Sequence, residues 1–76
     1  MSFTEVMREA EDALRRDDFE SACSSYAAAA QLRPSDPLVR MRLGLTLKRL
    51  GRHHDALDEF TTVTRLSPEY GEAWRE

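Results

Sequence analysis

One cysteine in 76 residues excludes an internal disulfide framework, and it excludes a cysteine-rich zinc site. Three glycines, none of them clustered, leave no loop of the kind that cradles a phosphate. The opening stretch MSFTEVMREAED is charged throughout, which is not the pattern of a secretory signal, and no apolar run is long enough to span a bilayer. An excess of positive charge is missing too. The chain has 11 basic against 14 acidic residues, a net of −3, which argues against a dedicated nucleic-acid binder. At this length the chain is one small domain, residues 1–76, able to bury roughly 60% of its unfolded surface. These absences together predict a reduced, cytoplasmic protein with no cofactor and no membrane association.

What is present is a period. The stretches YAAAAQLRPSDP (26–37) and FTTVTRLSPEYG (60–71) differ in composition, yet key residues fall in step. Tyr26 and Phe60, Leu32 and Leu66, Pro34 and Pro68, and Ala22 and Ala56 are each 34 residues apart, as are Ala10 and Gly44. Self-similarity at a fixed period in this range marks a repeat architecture. Phe19 pairs with His53 at the same offset, which predicts that His53 packs at a helix entry.

Each period reads as two helices. Val6, Met7, Ala10, Ala13 and Leu14 recur at helical spacing over Phe3–Arg16, with Thr4 available to cap the start. Asp17-Asp18 interrupts that pattern, and Phe19–Leu32 then carries Ala22, Cys23, Tyr26 and Ala29 along one side. Pro34 ends this helix. Asp36 is placed as the next N-cap, with Pro37 in the first helical position. A third helix is expected over Leu38–Leu50, closed by Gly51, and a fourth over His53–Leu66, with a helical stub after Gly71. Thr61-Thr62-Val63-Thr64 reads locally as strand. Its partner one period earlier is alanine-rich and helical, and propensity costs only tenths of a kcal/mol per residue, so the helix prevails.

The spacing resembles the tetratricopeptide repeat, a 34-residue helix–turn–helix with a W-x2-L-G-x2-Y…A-x3-F…P pattern. In the second unit Leu43-Gly44 fills the L-G pair, Ala56-x3-Phe60 the A-x3-F element, and Pro68 the closing proline, while Leu47 and Arg40 stand in the Tyr and Trp slots. The first unit keeps Ala22, Tyr26 and Pro34 and has Val6, Glu9, Ala10 and Ala13 in its first half; Trp74 falls in the Trp slot of a third. The resemblance implies an all-α fold, a fragment of an α-solenoid. Its units run approximately 3–36 and 37–70, with the beginning of another at 71–76. It also implies a protein-interaction scaffold or adaptor rather than an enzyme. Small residues at Ala10, Ala22, Gly44 and Ala56 are expected where paired helices cross closely.

Candidate chemistry is sparse. His54 and Asp58 lie one turn apart and could hold a metal weakly, but packing is the stronger reading of His53, and no metal site is expected. Cys23 belongs to the alanine-rich face and is expected to be buried. The acids Glu9, Glu11, Asp12, Asp17 and Asp18 read as a solvated face.

The third helix is acid-free and carries Arg40, Arg42, Lys48 and Arg49, with Arg52 just beyond. In proteins similar to this one, the first helix of each unit lines a concave groove that takes a partner's peptide or helix. That resemblance would place Met7, Glu11, Leu14, Arg15, Leu38, Met41, Arg42, Leu45, Lys48 and Arg49 on the groove. Met41 and Leu45 would form an adaptable apolar strip flanked by arginines, suited to a partner with acidic and apolar residues. The lysine–asparagine clamp of chaperone-tail-binding members is not matched, since Met7, Glu11 and Arg42 occupy those sites and Glu72 and Glu76 follow. One alternative is a nucleic-acid contact through the basic third helix. Another is self-association at the carboxy-terminal end, where Leu57, Phe60 and Val63 would be partly covered, chiefly by Trp74, if the chain is excised from a longer repeat protein.

Overall fold

The computed structural model describes residues 1–68 and contains, in order, α1 (Phe3–Arg15), α2 (Phe19–Leu32), α3 (Pro37–Arg49) and α4 (His53–Leu66). No strand occurs among the described residues. α1 packs on α2, α2 on α3, and α3 on α4. The expected stub after Gly71, together with Glu72, Trp74 and Glu76, lies outside the described residues.

The 34-residue period is written into the backbone. Ser2 and Asp36 cap α1 and α3, and each accepts a hydrogen bond from a first-turn N–H. Ser2 also exchanges bonds with Glu5, whose side chain accepts from the Ser2 N–H at 3.0 Å. This capping box corrects the expectation that Thr4 starts the helix. Ser2 and Glu5 have the spacing that satisfies two orphan donors at once.

The turn after each first helix repeats in the same way. Asp17 (φ 56°) and Gly51 (φ 81°) both adopt the left-handed conformation. Asp18 N–H donates to Ala13 O and Arg52 N–H to Leu47 O, each at 2.9 Å. Asp17 N–H donates to Leu14 O and Gly51 N–H to Lys48 O, each at 3.0 Å. These are two Schellman closures one period apart. Gly51 meets no steric penalty there, and Asp17 is among the few other residue types that tolerate the conformation. The first and third helices end at Arg15 and Arg49, one residue before the expected Arg16 and Leu50, because those residues serve as C-caps.

The core forms where the helices cross. Ala10, Ala13, Ala22, Tyr26 and Ala56 are buried in one cluster with Leu43 and Leu47. A second cluster joins Val6 of α1 and Val39 of α3 to Ala29 and Ala30 of α2. At Gly44 a Cβ would stand 2.6 Å from Phe60 Cε1 and 2.9 Å from Cδ1, so the ring occupies the space a side chain would need. The threonine run stays helical. Thr61, Thr62 and Thr64 donate their hydroxyls to the carbonyls four residues back, which satisfies them without leaving the helix.

Two expectations are corrected by burial. His53 is exposed and does not pack at the entry of α4 as Phe19 does at that of α2; an imidazole gains less from burial than a benzene ring, and Arg52 rather than a capping side chain precedes it. Val63 is fully buried rather than partly covered; Phe60 is half-buried, and Leu57 alone of the three is strongly exposed at 62%.

The Gly44–Phe60 contact predicts that Gly44→Val lowers stability by roughly 1–3 kcal/mol through overpacking, with Phe60→Leu restoring part of the loss in a double-mutant cycle. Urea denaturation measures both, and an unchanged midpoint for Gly44→Val contradicts the close crossing. A second prediction concerns acid. The Ser21 hydroxyl and, after it, the Ser21 N–H that donates to the Asp18 carboxylate hold its pKa below the ordinary value. A depressed folded-state pKa contributes stability above the unfolded value and loses it as pH falls through the folded one. Asp18→Asn keeps an N-cap acceptor but does not titrate, so the advantage of aspartate over asparagine should be constant near neutrality and be lost as pH falls below the ordinary aspartate value and through the depressed folded-state one. Denaturation midpoints across that range provide the check.

Candidate interaction groove

The first helix of each pair presents its outer side to a shared concavity of about 580 Å3. Leu14 from α1 and Leu38, Met41, Arg42, Leu45 and Arg49 from α3 line it. These are six of the ten groove residues expected from the sequence. The other four sit elsewhere. Met7 is drawn inward against both core clusters. Arg15 turns to Asp12 on its own helix at 2.7 Å. Lys48 is exposed outside the concavity, and Glu11 stands at its edge, where its carboxylate approaches Arg42 at 3.9 Å.

Apolar surface and positive charge meet here. Leu38 and Leu45 are over two-fifths exposed and share one concavity. Arg42 remains within reach of both solvent and Glu11. Arg49 lies over the Phe19 ring, 5.7 Å from its centroid, a placement that keeps the guanidinium at the wall.

The basic third helix does not present one face. Arg40 leaves the groove and donates to Glu59 of α4 at 3.2 Å, in a half-buried pair that ties the two helices together. Arg52 pairs with Asp55 at 2.8 Å, and Arg42 is drawn toward Glu11. Of the five cations, only Lys48 and Arg49 lack an acidic partner among the described residues.

The wall also holds residues that a first-helix rule does not reach. Asp17 and Phe19 close one end from the inter-helix turn, and Tyr26 and Thr46 stand behind. Tyr26 is fully buried, and its hydroxyl has no hydrogen-bond partner among the described residues. An orphaned hydroxyl costs about 1–3 kcal/mol. Thr46, by contrast, donates to the Arg42 carbonyl at 2.8 Å. The signal for Tyr26 was available: a tyrosine in a slot that packing alone would fill with phenylalanine brings a polar atom the core does not need.

Other chemistry-bearing residues do not assemble. Among the described residues no group of three or more His, Cys, Asp or Glu is placed to hold a metal ion. No helix there is long and apolar enough to cross a membrane. Cys23 is buried beside Leu43 and Leu47, as expected, and desolvation pushes its thiol pKa up.

The chain is similar to the small glutamine-rich tetratricopeptide repeat-containing protein 2 of Mycosarcoma maydis, with 23% identity over 70 residues, 92% of this chain and 20% of that protein. The chain thus spans about a fifth of the length of that relative. No family model matches the chain, and no solved structure matches it. The four described helices and their recurring turns make an all-α helical repeat, and the similarity is to a protein named for tetratricopeptide repeats. It relates the chain to proteins that carry such repeats.

Burial of Cys23 in its protonated form predicts slow reaction with a disulfide exchange reagent in the native protein, since only the thiolate attacks. The rate should climb steeply with urea as the α2–α3 contact opens. Labelling as fast in buffer as in denaturant would place the thiol at the surface.

Proposed function

We propose that this chain is a protein-interaction module of tetratricopeptide type, with units at about 3–36 and 37–70, and that it acts as a scaffold or adaptor rather than as an enzyme. Its groove binds a peptide or helix whose apolar side chains seat on Leu38, Met41 and Leu45 and whose carboxylates meet Arg42 and Arg49. The observation that carries this reading is the joining, in one concavity, of exposed leucines with a cationic rim. A groove shared by two helices of successive pairs fits the helix-in-groove and extended-peptide modes of recognition. Methionine supplies an adaptable surface, and the arginines give orientation and association rate.

The glutamine-rich relative is named for its repeats, which supports protein binding in general. A nucleic-acid contact is the weaker reading, because three of the five basic residues already face carboxylates. It would also show steep loss of affinity with salt.

Arg42→Glu with Arg49→Glu should weaken a partner recovered with the wild-type chain by roughly tenfold, about 1.4 kcal/mol, while helical circular dichroism and the urea midpoint stay close to wild type. Isothermal titration in parallel with denaturation separates the two effects. Undiminished affinity in the folded double variant would remove the groove from the binding surface.

A further inference from the structure

A second concavity, of about 550 Å3, lies between α2 and α4, and it shares no residue with the groove. Its floor is apolar: Cys23 and Ala27 from α2, Leu43 and Leu47 from α3, and Leu50 at the end of α3. Its rim is mainly acidic, with Glu20 on one side and Asp55, Asp58 and Glu59 on the other, joined there by a single cation, Arg52. Two of these acids are engaged, Asp55 by Arg52 and Glu59 by Arg40. Glu20 and Asp58 have no ion pair or side-chain hydrogen bond among the described residues. α3 thus separates two clefts of opposite character, with an arginine rim on one and, on the other, a carboxylate rim of which Glu20 and Asp58 are uncompensated.

We propose that the α2–α4 cleft is a second docking surface, and that its occupant is a protein segment presenting lysine or arginine beside an apolar residue. Charge complementarity selects this partner. A lysine or arginine is amphipathic, and its methylene stem covers apolar surface while its cationic head stays at the edge. The cleft offers that arrangement, an apolar floor with free carboxylates above it. Hydrogen bonds between ionised partners are shorter and stronger than neutral ones. The buried thiol on the floor stays neutral and adds no charge to compete. An anionic surface, whether nucleic acid or lipid headgroups, would be repelled, and the rim does not gather the ligands a divalent cation needs. This inference is independent of the groove, which calls for the opposite charge.

The experiment is a titration of the isotope-labelled chain, followed by amide chemical shifts, with two terminally blocked tetrapeptides. One alternates leucine with arginine and the other leucine with glutamate. The arginine peptide should shift the amides of Cys23, Ala27 and Leu47, and the glutamate peptide should leave them in place. Glu20→Gln with Asp58→Asn should weaken the arginine peptide by about fivefold, the size of two surface ion pairs. Both positions are exposed, and urea denaturation of the variant confirms its fold. As a further control, Glu9→Gln, remote from the cleft, should leave the binding unchanged. The proposal is overturned if the arginine peptide moves no cleft amide at millimolar concentration. It is also overturned if the neutralised variant binds as well as wild type, or if both peptides act alike. Cleft shifts that appear on concentrating the chain alone would assign the surface to a second copy instead. Because the glutamate peptide reports on Met41 and Leu45, failure at one surface is distinguishable from failure at the other.

Discussion

The closeness of α3 to α4 at Gly44 is the constraint from which the rest follows. With Phe60 Cε1 only 2.6 Å from where a Cβ would stand, the two helices meet through a ring laid on bare backbone. Ala56 is buried in α4, and Ala10 and Ala22 are buried in α1 and α2, so backbone approach, rather than large side chains, builds most of this core. A chain of this size cannot fill a wide interior. By bringing the backbones close it obtains native packing density from few atoms. The larger apolar residues Leu38, Met41 and Leu45 are then not all required inside, and they remain for the surface.

Repetition of the turn makes this crossing occur in register. The two Schellman closures fix the exit from α1 and α3 with matching hydrogen bonds. The same caps, offset by 34 residues, start both helices. Once entry and exit are fixed in each pair, the second pair has little choice in how it meets α2. Among the described residues each helix packs most extensively on its sequence neighbours. In such an architecture stability is close to a sum of unit and interface terms. The Arg40–Glu59 pair contributes to the unit term of the second helical pair, and it withdraws a cation from the groove surface.

Most of the fold was legible because the period is redundant. Even where the threonine run argued for strand, its partner one period earlier outweighed it. What the period could not convey was the choice between chemically different residues in equivalent slots. Phe19 and His53 share a slot, but only the ring packs; Asp18 and Arg52 share another, but only the aspartate caps its helix. Thr4 was the cap expected, but Glu5, bonded back to Ser2, sets the start two residues earlier. The groove was legible as a set of helix positions but not as a surface. Helix periodicity places Met7 and Arg15 on the same side as Leu14, yet neighbouring groups draw one into the core and the other to Asp12. Tyr26 and Phe19 were hidden for the opposite reason, since residues of second helices and turns enter the wall only through tertiary packing.

Charge segregation across α3 carries a mechanistic consequence. The helix is acid-free, so its cations must be balanced by neighbours, and each neighbour takes a different one: α1 draws Arg42 through Glu11, and α4 draws Arg40 through Glu59. Screened, exposed pairs such as Arg42–Glu11 contribute little to stability, so an incoming carboxylate displaces Glu11 at small cost. The half-buried Arg40–Glu59 pair is harder to replace, because removing either partner leaves a charge with little solvent around it. The two pairs therefore do different work. One holds the helices together, and the other is weak enough to be exchanged for a ligand on the face where the leucines are exposed.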